Sequence, residues 1–128
     1  MIPTEAPLRL GIDAVEVERF KRVLNRRPGL SARLFTDEEL VTADGTPRKV
    51  ESLAARFAAK EATMKVLGVG VGAVSFHTIS VRTKPSGEPE LVLSGRAATL
   101  ASEQGLGVLT CSLTHTTSVA MAIVGSQR

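Results

Sequence analysis

Tryptophan and tyrosine are absent from this chain of 128 residues, and phenylalanine occurs only four times. The core must therefore be built from Val, Leu, Ile and Ala. Surfaces that bind single-stranded nucleic acid by stacking bases on aromatic rings also lack their material. Cysteine occurs once, at Cys111, which excludes an internal disulfide. It lies in the apolar, strand-like run Val108-Leu109-Thr110-Cys111 with no charged neighbour to lower its pKa, so it reads as a buried structural thiol and not as a nucleophile. No apolar run approaches the roughly 20 residues of a membrane span. The opening Met1-Ile2-Pro3-Thr4-Glu5-Ala6-Pro7 has neither the basic region nor the apolar core of a signal peptide. The expectation is a cytoplasmic, soluble protein with no membrane association, a single domain over residues 1–128 in which 1–7 form a loose leader.

What the chain does have is basic charge. The formal net charge is +3 and the pI about 9.5, which suits an acidic protein partner or a phosphorylated ligand without choosing between them. Much of the charge falls in the first third, at Arg19, Lys21, Arg22, Arg26, Arg27 and Arg33. That run reads either as a solvated helix face or as a docking surface for an acidic protein.

The periodicity alternates between element types without a strict repeat. Leu8 to Val15 reads as a strand, and Glu16 to about Asn25 as a helix with Val17, Phe20, Val23 and Leu24 on one face. A short helix over Leu30–Leu34 follows, then Thr36 as an N-cap with Glu39 three residues on, the pattern of a capping box. The main helix runs from about Arg48 to Leu67, and Gly68-Val69-Gly70-Val71-Gly72 ends it. A hairpin pairs His77–Thr83 with Glu90–Leu93 across the Lys84–Gly87 turn. A small helix over Gly95–Gln104 precedes two last strands, Val108–Thr114 and Ser118–Val124. Runs of both element types in this order predict an α+β fold.

The most informative segment is Arg56-Phe57-Ala58-Ala59-Lys60-Glu61-Ala62-Thr63-Met64-Lys65. With roughly 3.6 residues per turn, Leu53, Phe57, Met64 and Leu67 form a bulky stripe, and Ala55, Ala58, Ala59, Ala62 and Val66 cover the opposite side. A helix apolar on both sides is buried on both sides. Lys60 projects near the centre of the bulky stripe, flanked by Arg56 and Glu61, and a charge there needs a partner or a ligand. Arg56 and Lys60, one turn apart, can clamp a phosphate. Glu61 and Lys65 can form an ordinary i,i+4 pair or serve a site. Asp13, out of pattern in an apolar strand, is either a helix cap or a ligand for a hard cation such as Mg2+. His77 reads as structural. His115, in Ser112-Leu113-Thr114-His115-Thr116-Thr117, sits at a hydroxyl-rich corner that is either a capped turn or a binding site. The Gly68–Gly72 stretch fails the P-loop pattern, because no Gly-Lys-Ser/Thr follows and it succeeds a helix.

Together, Gly11-Ile12-Asp13-Ala14-Val15-Glu16, Phe35-Thr36-Asp37-Glu38-Glu39, Arg56 to Ala62 followed by Lys65, Gly87-Glu88-Pro89, and Ser112-Leu113-Thr114-His115-Thr116 resemble the holo-acyl-carrier-protein synthases, the short single-domain 4′-phosphopantetheinyl transferases. The resemblance covers residues 8 to 124. It implies a fold with an antiparallel sheet packed on a long buried helix, assembled as a homotrimer with coenzyme A between neighbouring subunits. It further implies transfer of phosphopantetheine from coenzyme A to a serine of an acidic acyl carrier protein, in fatty-acid or polyketide biosynthesis. By the match, Asp13 and Glu61 are Mg2+ ligands, and Glu61 and Lys65 are the catalytic pair. Arg56, Lys60, Gly87, Pro89, His115 and Thr116 hold coenzyme A, and Arg19 and Arg22 dock the carrier. Thr63 departs from the family pattern, which has an aromatic or aliphatic residue there. The competing reading is a non-catalytic basic oligomer that binds an acidic protein or nucleic acid; the transferase reading expects no nucleic acid.

Overall fold

The computed structural model describes residues 8–126, so the expected leader over 1–7 lies outside the described residues. Strand β1 (Leu10–Glu16) leads directly into helix α1 (Val17–Arg26), and two short helices follow, α2 (Leu30–Leu34) and α3 (Asp37–Leu40). The long helix α4 spans Val50–Leu67. Strands β2 (Ile79–Thr83) and β3 (Pro89–Leu93) form a hairpin, helix α5 covers Gly95–Glu103, and β4 (Leu109–His115) and β5 (Val119–Ser126) complete the chain. One antiparallel sheet has the order β1-β5-β4, and β2-β3 stands as a second, two-stranded sheet. No helix of the described residues is long and apolar enough to cross a membrane.

Helix α4 organises the rest. Twelve of its eighteen residues are buried, and it packs small side chains against one neighbour and large ones against others. Ala58, Ala59 and Ala62 meet the three-stranded sheet, where Ala122 and Val124 of β5 are also buried. The sheet shows period-two alternation: Ala120, Ala122 and Val124 point to the helix, whereas Met121 and Ile123 are exposed. On β1 the inward positions are Gly11, Asp13 and Val15, with Leu10 and Ile12 outward. Gly11 is where the contact is tightest, since a Cβ there would lie 2.0 Å from the carbonyl oxygen of Ala62.

The four phenylalanines form one string. Phe20 meets Phe35 edge-on at 6.3 Å between ring centroids and Phe57 at 5.3 Å, and Phe57 stacks on Phe76 at 5.7 Å. These contacts tie α1 and α2 to the bulky side of α4 and supply aromatic packing beyond simple burial.

Three boundaries differ from expectation. The first strand begins at Leu10, not Leu8, and extends to Glu16, which pairs with Val119. Helix α4 starts at Val50 because Arg48 belongs to the preceding loop: its backbone N–H donates to the Leu40 carbonyl and its guanidinium to the carbonyls of Glu39 and Val41. The expected strand over His77–Thr83 opens instead with a single 3-10 turn, Phe76–Thr78. Ser75 causes this, its hydroxyl accepting from the His77 N–H and its carbonyl from both the N–H and the hydroxyl of Thr78. Local hydroxyl bonding of this kind competes with strand pairing. The Thr36–Glu39 capping box forms as read, with both reciprocal bonds present.

Candidate functional site

Seven of the eleven candidate residues line one of two cavities that share no lining residue. The first lies between β1, α1 and α4. Asp13 reaches it because it stands two residues after Gly11 on the inward face of β1. Glu61 reaches it from α4, and Arg19 from α1. Glu16 also lines it, and the rest of its wall is apolar, including Phe20, Val23, Leu34, Phe57 and Phe76. Lys65 stands one turn beyond Glu61. Its ammonium donates to the Ile12 carbonyl at 2.6 Å and lies 3.5 Å from Asp13 Oδ1. Partial burial raises the Glu61 carboxyl above its ordinary range, the negative charge of Asp13 adds to the rise, and Lys65 opposes it. Asp13 and Glu61 thus feel one another across the cavity.

The second cavity is lined by Ser52, Arg56, Thr83, Gly87, Pro89 and His115, among others. Four of the residues expected to hold coenzyme A therefore converge: Arg56, Gly87, Pro89 and His115. Arg56 is fixed from two sides, Nη1 donating to Ser52 Oγ at 2.7 Å and Nη2 to Thr83 Oγ1 at 3.0 Å. Its Nε is buried with no hydrogen-bond partner among the described residues. Burial, then the nearby Arg48, pulls the Arg56 pKa down to about 10, against the attraction of Glu39 and Cys111. A cation held this way gains from an anion. Gly87 supplies the turn between β2 and β3 with a φ of 92°, a conformation only glycine takes without strain. Thr116 serves the turn that presents His115: its hydroxyl accepts from the N–H groups of Ser118 and Val119 at 3.2 and 3.0 Å. The capped-turn reading of this corner thus describes Thr116, and His115 lines the second cavity.

Lys60 is in neither cavity, which corrects its expected contact with coenzyme A. It is wholly buried, and its ammonium donates to Glu39 Oε1 at 2.7 Å, the Phe76 carbonyl at 2.9 Å and the Ile79 carbonyl at 2.7 Å. A lysine ammonium has three donors, so none remains for a ligand. Its burial lowers the Lys60 pKa, against the pull of Glu39. Three features escaped the sequence reading: the pairing of Lys60 with Glu39, the seats of Arg56 on Ser52 and Thr83, and the aromatic wall beside Glu61. Thr63, at the atypical position, is buried and donates its hydroxyl to the Ala59 carbonyl. Cys111 is partly buried, and burial pushes its thiol up to about 11, as a structural thiol requires.

Carboxylates beside a lysine, and an arginine- and histidine-lined cavity, are parts suited to phosphoryl transfer. A family model described as the 4′-phosphopantetheinyl transferase superfamily matches residues 9–124. A holo-[acyl-carrier-protein] synthase of Salinispora arenicola is 48% identical over 119 residues, covering 93% of this chain and 97% of the relative. That of Moorella thermoacetica is 44% identical over 116 residues, covering 91% of each. The crystal structure of the Neisseria meningitidis synthase superposes with a TM-score of 0.81 at 32% identity, over 94% of this chain and 98% of that one. The Helicobacter pylori synthase, solved in complex with coenzyme A, gives 0.79 at 29% identity, over 92% and 99%. The chain belongs to the 4′-phosphopantetheinyl transferase superfamily and, within it, to the holo-[acyl-carrier-protein] synthases.

Proposed function

We propose that this chain transfers the 4′-phosphopantetheine arm of coenzyme A to a serine of an apo acyl carrier protein, releasing adenosine 3′,5′-bisphosphate. The observation that carries the proposal is the convergence of Asp13 and Glu61 on one cavity, with Lys65 3.5 Å from Asp13, and of Arg56, Gly87, Pro89 and His115 on another. The serine oxygen attacks the β-phosphorus of coenzyme A, and the bond to the bridging oxygen of the leaving bisphosphate breaks. Arg56 and His115 hold the nucleotide end, on the turn that Thr116 caps, with the Gly87–Pro89 turn as the cavity wall. Lys65 lies where it can place positive charge near the reacting phosphates. Glu61 is the residue that receives the serine proton in this scheme.

The donor set at Asp13 and Glu61 fits Mg2+, which takes one or two carboxylates and completes its shell with water and phosphate oxygens. No group of three or more His, Cys, Asp or Glu capable of holding a metal occurs among the described residues. When bound there, the cation neutralises charge that builds on the pyrophosphate oxygens.

Two separate cavities become one site if coenzyme A lies between subunits, one copy offering Asp13 and Glu61 and its neighbour the nucleotide cavity. The outer face of the three-stranded sheet exposes Leu10, Ile12, Met121 and Ile123, a contiguous apolar patch of the kind that marks interfaces, and the proposed homotrimer would cover it. Arg19 borders the carboxylate cavity, and with Arg22 it gives α1 a basic face for an acidic carrier. The test is to incubate the protein with coenzyme A, Mg2+ and apo-carriers of fatty-acid and polyketide type, then weigh each carrier. A gain of one phosphopantetheine is expected, and the carrier modified faster names the pathway. No gain on any carrier, with salt-sensitive nucleic-acid binding in its place, would establish the competing non-catalytic reading.

A further inference from the structure

Lys60 and Glu39 make the one ion pair among the described residues in which both side chains are fully buried. Its bonds reach well beyond the pair. Glu39 Oε1 also accepts from the Thr36 N–H at 2.9 Å, and Oε2 accepts from the Val81 N–H at 2.9 Å. The Glu39 carbonyl accepts from Arg48 Nε at 2.8 Å. Lys60 in turn holds the carbonyls of Phe76 and Ile79, which bracket the 3-10 turn before β2. One charge pair thereby fixes α3, the 3-10 turn and the start of β2 against α4.

Two of those held segments, the 3-10 turn and β2, each carry a wall of one candidate cavity. Phe76 lines the Asp13–Glu61 cavity and stacks on Phe57, which lines it too. Thr83, two residues beyond Val81 on β2, lines the nucleotide cavity and is the acceptor that seats Arg56. Lys60 stands between Arg56 and Glu61 on α4 and touches neither cavity.

We infer that Lys60, paired with Glu39, is a positioning residue for phosphopantetheine transfer: it sets the geometry of both cavities at once by registering β2 and the 3-10 turn on the helix that carries Arg56 and Glu61. The inference rests on the transferase reading above. A buried pair serving stability alone can be replaced by apolar residues of similar shape with little loss, and that difference is what an experiment can read.

Two variants are needed, K60M/E39L and Glu39→Gln. The first removes both charges together, leaving no unpaired ion. The second keeps the shape but gives Glu39's place one acceptor and one NH2 group, so a donor must face either the Lys60 ammonium or the Val81 N–H. Both are compared with the parent by thermal melting, by calorimetric titration of adenosine 3′,5′-bisphosphate, and by kcat and KM for coenzyme A and for carrier. Transfer by the parent tests the function reading; only the ratio of variant to parent tests this inference. For a folded variant the expected outcome is weaker bisphosphate binding together with a fall in kcat/KM of roughly 10- to 100-fold, the scale of an ångström of misplacement at a reacting centre. Folded variants that bind bisphosphate and turn over like the parent would overturn it. So would failure of both variants to fold, because the pair would then serve folding, with nothing particular to the site.

Discussion

Gly11→Ala is the most demanding test of how β1 and α4 build the carboxylate cavity. The new methyl carbon would sit 2.0 Å from the Ala62 carbonyl oxygen, where ordinary contact begins at 3.4 Å, and also 2.9 Å from the Ala62 carbonyl carbon. The obstacle is helix backbone in the middle of α4, flanked by the fully buried Ala58 and Ala59, so no side chain can swing aside. Strand and helix must part by more than an ångström. Overpacking costs about 1–3 kcal/mol when side chains share the strain, and a backbone obstacle puts this variant at the top of that range. For a domain of this length about 3 kcal/mol lowers the melting temperature by roughly 10 °C. A stability reserve of about 5–15 kcal/mol leaves the variant folded.

Activity should suffer more than stability. Asp13 is two residues from Gly11 on the same face of β1, and Glu61 precedes Ala62, so parting the two elements separates the two carboxylates directly. Misplacement on the order of 1 Å costs about 100-fold in rate. Gly125→Ala is the matched control, since its methyl would meet the flexible end of Leu10 at 3.2 Å and the Arg9 carbonyl oxygen at an ordinary 3.9 Å. Thermal melts and carrier mass time-courses on both variants settle the matter. If Gly11→Ala melts with the parent and transfers at the parent's rate, the close approach is not what places Asp13 beside Glu61.

Other outcomes follow from charge and burial. Glu61 binds its proton more tightly folded than unfolded, because its pKa is raised above 4.5. Stability therefore falls as pH rises through the window between 4.5 and the folded value, and stays lower above it. Glu61→Gln should accordingly raise the melting temperature at pH 8 in chelator and change it little below pH 4.5. Added Mg2+ should stabilise the parent and not the variant, whose activity drops roughly 100-fold or more for want of several kcal/mol of charge stabilisation; a lower melting temperature for Glu61→Gln in chelator would refute the repulsion argument. Arg19 and Arg22 should steer the carrier, so its KM rises with ionic strength as the Debye length shrinks to about 8 Å at 0.15 M, and the double alanine variant flattens that slope; a parent KM indifferent to salt refutes it. With its thiol pKa near 11, Cys111 is thiolate in about one molecule in a thousand at pH 8, so iodoacetamide should label it slowly in the folded protein and readily in urea. Fast labelling of the folded protein would mean that Cys111 is not held in the interior.

Much of this architecture was legible because local signals and burial agree. The Thr36–Glu39 capping box, the two-sided apolar pattern of α4 and the alternation of the last two strands each express one period or one cap. The 3-10 turn at Phe76–Thr78 was hidden, because Ser75 and Thr78 bond locally in a stretch whose side chains alternate like a strand. Gly11 stood in plain view as part of the Gly-Ile-Asp motif, but its reason, a carbonyl on a helix fifty residues away, exists only in three dimensions.

Lys60 shows how such a reading goes wrong, and why. A cation placed in an apolar stripe has two physical solutions, an external anion or a remote carboxylate of the same chain. Nothing near Lys60 in sequence excludes the remote partner, and Glu39 had already been given a complete local task as the closing residue of a capping box. A carboxylate, though, has about four lone-pair positions, enough to cap its own helix, accept from the Val81 N–H and neutralise Lys60 together. The expected ligand contact was therefore an error of economy: one residue was assigned one role. For Arg56, a turn earlier on the same helix, the other solution stays open, because its hydrogen-bond partners Ser52 and Thr83 are neutral. Of the two buried cations on α4, the one hydrogen-bonded to a carboxylate holds the fold, and the one bonded only to hydroxyls is the one we propose binds the nucleotide.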